Sequence, residues 1–317
     1  MNRFCIHSLL AGVLVASAPL QAGAAPPTRA AAEVAITYAK SPFTDFLYYL
    51  LYRSTGFNSE YAQLKQAVPL QGIAPIEVNS SFMPQDATDS NVTSYNQLYA
   101  LAEKHDNPEL LKSMLRKAEP QFPAFLAYWK AHIAPAEEHA ISAARKEQRR
   151  WPIVTHLEAM ERLAFPFKTI RYDVFALETQ GGSKQGPATI YSTPDVPDLA
   201  WAIGHEGTHM ILEKTADLPH RPGATDAIAL MTRAGGSEYA IEEALCLLVQ
   251  AKMSIAAGAT RPDFRTSVTI ADGNPSKKLL IALERDWPAY LRDKKLNAAD
   301  WLIHETIKTY SPRARSE

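Results

Sequence analysis

The chain reads as an α+β protein, predominantly helical, with a small β-sheet placed just ahead of an apolar helix. Three observations carry that reading. Much of the first half consists of segments with helical periodicity, separated by prolines and polar stretches. The pattern changes at Thr169, after which residues 170–177 alternate or run apolar in the manner of a strand. Gly181 and Gly182 then offer a turn, residues 188–192 a second strand, and residues 201–212 an apolar helix carrying the run His205-Glu206-Gly207-Thr208-His209.

At the N-terminus, Arg3 precedes an apolar stretch ending near Leu20, and Ala22-Gly23-Ala24 supplies a small-x-small site. That is the pattern of a Sec-type signal peptide over residues 1–24, cut after Ala24, with an apolar part too short for a bilayer span. The expected location is periplasmic or secreted, with no integral membrane span after cleavage. Cys5 departs with the signal and only Cys246 stays, so no internal disulfide forms, and the apolar setting of Cys246 marks a packed thiol. A hydrophobic content of 46% assures a sizeable core, and a net charge of −1 gives no footing for nucleic acid. The length suits one large domain or two intimate lobes, here a helical lobe over 25–165 and a second lobe over 166–317.

Residues 45–53 are aromatic and helical in period, which reads as core packing. Further helices are expected over 93–105, 108–118 and 122–150, the middle one opened by Pro108 in its first turn. Residues 80–91 form a polar loop. Arg145, Lys146, Arg149 and Arg150 close the longest helix, as a solvated end favoured by the helix dipole. Asp198 stands where the apolar helix needs a cap.

Residues four apart on a helix share a face, so His205 and His209 can present two imidazoles to one metal ion. Zinc suits that arrangement, since it accepts neutral imidazole nitrogens at roughly 2.0–2.1 Å. Glu206 projects beside the metal and can take a proton from a water held there, the general-base role. Trp201, Ile203, Met210 and Ile211 bury this helix, and buried imidazoles and carboxylates need a partner. The bland alternative is a pair of hydrogen-bonded histidines with a salt-bridged Glu206.

A catalytic zinc takes three protein ligands and keeps one position open. The extended pattern with a glycine and a third histidine fails, because Leu212 and Thr215 occupy those places, and His220 comes too late. Residues 236–250 are the better source. From Ala244 to Val249 they carry no polar side chain, so this helix is buried nearly all round, where an acid needs a charge partner or a metal. Glu243 is the preferred third ligand, Glu242 the close alternative and Glu238 a distant third. Glu213, four residues after His209, reads as a helix ion pair.

At these residues the chain resembles the gluzincins, the zinc metallopeptidases that include thermolysin and aminopeptidase N. In that group a His-Glu-x-x-His helix supplies two ligands and the base, and a downstream helix supplies a glutamate, often within Asn-Glu-Ala or Asn-Glu-Gly. Glu242-Glu243-Ala244 matches, except that Glu242 stands in place of Asn. The carboxylate that orients a histidine one turn later falls on Leu247, so that contact is missing here or supplied elsewhere. The resemblance covers residues 186–250 and implies a zincin-like catalytic core, over 166–317, with the small sheet beside the motif helix. It also implies an edge strand that pairs with extended substrate; residues 188–192 are the candidate, with an ordinary internal strand as the equal alternative. An oxyanion donor is expected several tens of residues after the glutamate. His304, oriented by Asp300 as an i, i+4 pair, is preferred, and Tyr310, Tyr239 and Tyr191 are its rivals. The Gly-x-Met-Glu-Asn signature of aminopeptidases is absent, so nothing supports exopeptidase action.

The expected function is that of a zinc-dependent metallopeptidase acting on a peptide or protein substrate. His205, His209 and Glu243 hold Zn2+, Glu206 activates water and His304 assists the oxyanion. The alternative is an exported zinc-binding protein with a structural or non-peptidase role. Glu206 argues against it, because a purely structural site has no use for a base.

Overall fold

Strand β1 (Ala35–Ala39) lies parallel to β2 (Thr169–Val174), matched from Ala35 opposite Thr169 to Ala39 opposite Asp173. With β3 (Ser183–Gln185) and β4 (Thr189–Ser192) they form a sheet of order β1-β2-β4-β3, in which β4 runs parallel to β2 and β3 antiparallel to β4. This is a computed structural model, and it describes residues 34–52, 59–73, 86–87, 90–105, 107–177, 183–185, 188–195, 198–258 and 273–311. The expected signal peptide, the Gly181-Gly182 turn and most of the polar loop over 80–91 lie outside the described residues.

The remaining regular structure is helical. Ahead of β2 come α1 (Pro42–Tyr52), α2 (Ser59–Ala67), α3 (Tyr95–Ala102), α4 (Pro108–Ala118), α5 (Phe122–Tyr128), α6 (Ala134–Arg150) and α7 (Ile153–Glu161). After β4 come α8 (Leu199–Ile211), α9 (Ala224–Arg233), α10 (Glu238–Ala256), α11 (Pro275–Arg292) and α12 (Ala298–Tyr310). The predominantly helical α+β class is thus present, and α4 has the bounds the sequence pattern predicts. Over 122–150, where one helix is expected, a π turn (Trp129–Ile133) separates α5 from α6. Pro135 has no N–H to donate to residue 131 and its ring crowds that carbonyl, so the ladder widens ahead of it. Among the described residues no helix is long and apolar enough to cross a membrane.

The sheet stands between two hydrophobic cores. On β4, Ile190 packs into one and Tyr191 into the other, the period-two alternation of a strand covered on both faces. The first core gathers Phe46, Leu64, Leu98, Leu111 and Phe125 from α1–α5, with Phe175 and Leu177 where the chain leaves β2. The second gathers α7 to α12 around Leu157, Ile203, Leu248 and Trp301, and takes Ile141 and Ala144 from α6. Two buried acids bind the first core to the sheet. Asp45 accepts from Trp129 Nε1 at 2.8 Å and from the Leu177 N–H at 3.3 Å, and Glu137 accepts from the Ala176 N–H at 3.0 Å. Burial, and then the neighbouring charge of Asp45, push the Glu137 carboxyl well above the usual carboxylate range.

β4 has a partner on each side, so residues 188–192 form an internal strand. The edge beyond it belongs to β3, which together with β4 packs against α8. The start of α8 is held as its sequence predicts. Asp198 has extended backbone, and its carboxylate accepts from the Trp201 N–H at 2.6 Å. Glu147 of α6 reaches across to accept from the Leu199 and Ala200 N–H groups at 2.8 and 3.0 Å. Three of the orphan donors of this helix end are therefore taken by carboxylates, which also suit the positive end of the helix dipole.

Candidate metal centre

His205 and His209 lie one turn apart on α8, and Glu243 comes from α10, which packs along it. One donor atom from each can be chosen so that all three fall within 4.8 Å of one another. Glu243 Oε2 stands 3.5 Å from His205 Nε2 and 3.4 Å from His209 Nε2. Bonds of about 2.0–2.1 Å to one tetrahedral zinc would set its ligand atoms roughly 3.3–3.4 Å apart, close to the two carboxylate-to-imidazole distances. Glu243 Oε2 is buried and has no hydrogen-bond partner. A buried, orphaned carboxylate oxygen facing two imidazole nitrogens is the arrangement a cation resolves.

The charges agree with the geometry. Burial works to raise the Glu243 carboxyl, but the facing imidazoles of His205 and His209 outweigh it and hold it far below the usual range. At His209 burial works against the charged form, yet the neighbouring Glu242 and Glu243 carboxylates favour it, and its pKa is pushed up. Burial pushes the Cys246 thiol up to about 12, so it stays protonated beside His209, a packed thiol as its sequence setting suggests.

The outer nitrogens of both histidines are also engaged. His205 Nδ1 lies 2.8 Å from Gln250 Oε1, and His209 Nδ1 lies 3.4 Å from Glu242 Oε2. The adjacent acids Glu242 and Glu243 thus divide: Glu243 faces the shared Nε2 side and Glu242 the far side of His209. Aromatic rings flank both imidazoles. Trp201 stacks on His205 at 6.3 Å and 16°, and Tyr239 on His209 at 5.5 Å and 6°. Behind α8, Thr208 Oγ1 meets the Gly204 carbonyl at 2.6 Å and Glu161 Oε1 at 2.5 Å. One hydroxyl proton cannot serve two acceptors. Burial pushes the Glu161 carboxyl up to about 8, and the protonated acid can donate to Thr208 while Thr208 donates to Gly204.

The other candidates are dispersed. Glu206 is buried on α8 beside His205. His304 is exposed on α12 with its Nδ1 3.5 Å from Glu305. Asp300 does not pair with it, because both carboxylate oxygens accept from Arg221 at 2.7 Å. Tyr310 donates to the Pro275 carbonyl at 2.5 Å, and Tyr191 is fully buried in the first core. Tyr239, 62% exposed, is the oxyanion candidate whose ring stacks on His209. Glu238 opens α10 outside the ligand cluster, and Glu213 is exposed on the π turn Leu212–Ala216. Sequence reasoning missed Gln250, Glu161 and the stacking of Trp201. For Gln250 the available signal was a polar side chain directly after the apolar run Ala244 to Val249. No protein-family model, no curated protein and no solved structure matches this chain.

Proposed function

We propose that this chain is a zinc-dependent metallopeptidase of the gluzincin kind, exported to the periplasm or beyond the cell. The observation that carries the reading is the convergence of His205, His209 and the orphaned Glu243 Oε2, one donor atom from each within 4.8 Å of the others. Two imidazoles and one carboxylate are the donor set of a catalytic zinc with an open position. Bound there, the metal would acidify a water and polarise a substrate carbonyl. The chain's own residues supply the rest. Glu206 takes a proton from the attacking water and delivers it to the departing amine. Tyr239, exposed over His209, takes the oxyanion role first expected of His304, and its contact with a ligand is the reason. The place of β3 at the edge of the sheet among the described residues supports strand-wise binding of an extended peptide alongside α8.

Purified protein should carry about one zinc per chain, lost in folded His205→Ala and His209→Ala variants. Glu206→Gln should retain the zinc and lower peptide hydrolysis by about 10²–10⁴-fold. If zinc-loaded wild type cleaves nothing in a broad peptide library and Glu206→Gln behaves identically, a structural zinc site replaces this reading.

A further inference from the structure

We propose that Gln250 is a positioning residue that fixes the tautomer of His205 and so prepares the metal site. The inference rests on the metal reading above and extends it to a residue which that reading does not use. Gln250 is 3% exposed, and its Oε1 lies 2.8 Å from His205 Nδ1. An amide oxygen only accepts, so Nδ1 must carry the proton and Nε2 must keep its lone pair. That lone pair is on the side where Glu243 Oε2 stands 3.5 Å away. The opposite tautomer would place a proton where a metal must bind and leave two buried acceptors facing each other.

The backbone is arranged for this contact. Gly204 directly precedes His205, and a Cβ there would lie 2.8 Å from Gln250 Cα and 3.2 Å from Met253 Cβ. A glycine therefore lets α8 and α10 approach at the level of Gln250. That residue follows Glu243 by two turns, so both project from one face of α10. One helix face thereby holds both nitrogens of His205, Glu243 on the metal side and Gln250 on the outer side. Leu247, at the position where the resembled peptidases carry an orienting carboxylate, packs instead into the second core. The task passes to a neutral amide for His205, while His209 keeps a carboxylate in Glu242.

Two measurements test the proposal. Long-range proton–nitrogen NMR on metal-free wild type at about pH 8, above the usual imidazole range, reads the tautomer directly. His205 should carry its proton on Nδ1; a proton on Nε2 overturns the proposal, whatever any variant does. Zinc affinity by chelator competition should fall about 10–100-fold in Gln250→Leu, and Gln250→Glu, which restores an acceptor, should recover most of the loss. Unchanged affinity in a folded Gln250→Leu, or Gln250→Glu as weak as Gln250→Leu, overturns it. Failure of wild type itself to bind zinc would instead sink the metal reading, and the tautomer measurement separates the two.

Discussion

Glu242 and Glu243 are chain neighbours whose carboxylates reach opposite sides of one imidazole, and substitution should separate them. Glu243→Gln removes an anionic ligand and should abolish stoichiometric zinc, whereas Glu242→Gln, losing only an orienting partner, should weaken zinc by about 10–100-fold. Equal losses in chelator competition would refute that division. Glu161 has a different consequence, in the pH dependence of folding. Its carboxyl moves from the usual 4.5 to about 8 on burial, so folding takes up a proton between those values. The stability this contributes is full below the lower value and lost as pH rises through the higher. Glu161→Gln, which keeps a donor for Thr208, should flatten that decline in urea titrations of metal-free protein; parallel profiles would contradict it. His205 and His209 were legible as a pair because helical spacing fixes which side chains share a face. Gln250 and Glu161 were not, because their partners lie on another helix.

The motif helix depends on Asp198 at both of its carboxylate oxygens. One accepts from the Trp201 N–H and the other from the Ser254 hydroxyl at 2.6 Å, which joins the start of α8 to α10. Asp198→Ala should cost about 2 kcal/mol, combining a lost cap with a buried hydroxyl left unpaired. Thermal or urea denaturation reads this, and a loss below about 0.5 kcal/mol would show that Glu147 alone holds the helix start. At this scale the sequence performed well for helices with caps or an opening proline, such as α4 and α8. It performed less well where elements need distant partners. β1 is short and half exposed, and the strand it pairs with lies beyond α7. β3 is a three-residue edge strand. The internal place of β4 follows from β3 pairing along its outer side.

For the whole molecule, the sheet is common to both cores. β4 sends alternate residues to each, and the chain leaving β2 is hydrogen-bonded to Asp45 and Glu137. Neither core can be opened without stripping one face of the sheet. Urea unfolding should therefore be a single transition, coincident by far-UV circular dichroism and by tryptophan fluorescence, with Trp129 reporting on the first core and Trp287 and Trp301 on the second. Two separated transitions would show that the cores fold independently.

From its sequence alone this chain specified a helical α+β protein, the helix bearing His205, Glu206 and His209, and Glu243 as the favoured third donor. The fold class and the motif helix follow from local rules of periodicity, capping and same-face spacing, which act over a few turns of one helix, and Glu243 from the apolar run after it and the Glu-Ala match to the resembled peptidases. Tertiary structure alone decided that Glu242 turns to the outer nitrogen of His209, that Gln250 meets His205, and that Asp300 goes to Arg221 and not to His304. Each of these contacts joins separate elements. Its geometry is set by how closely α8 and α10, or α12 and the chain before α9, approach one another, and no single segment encodes that approach.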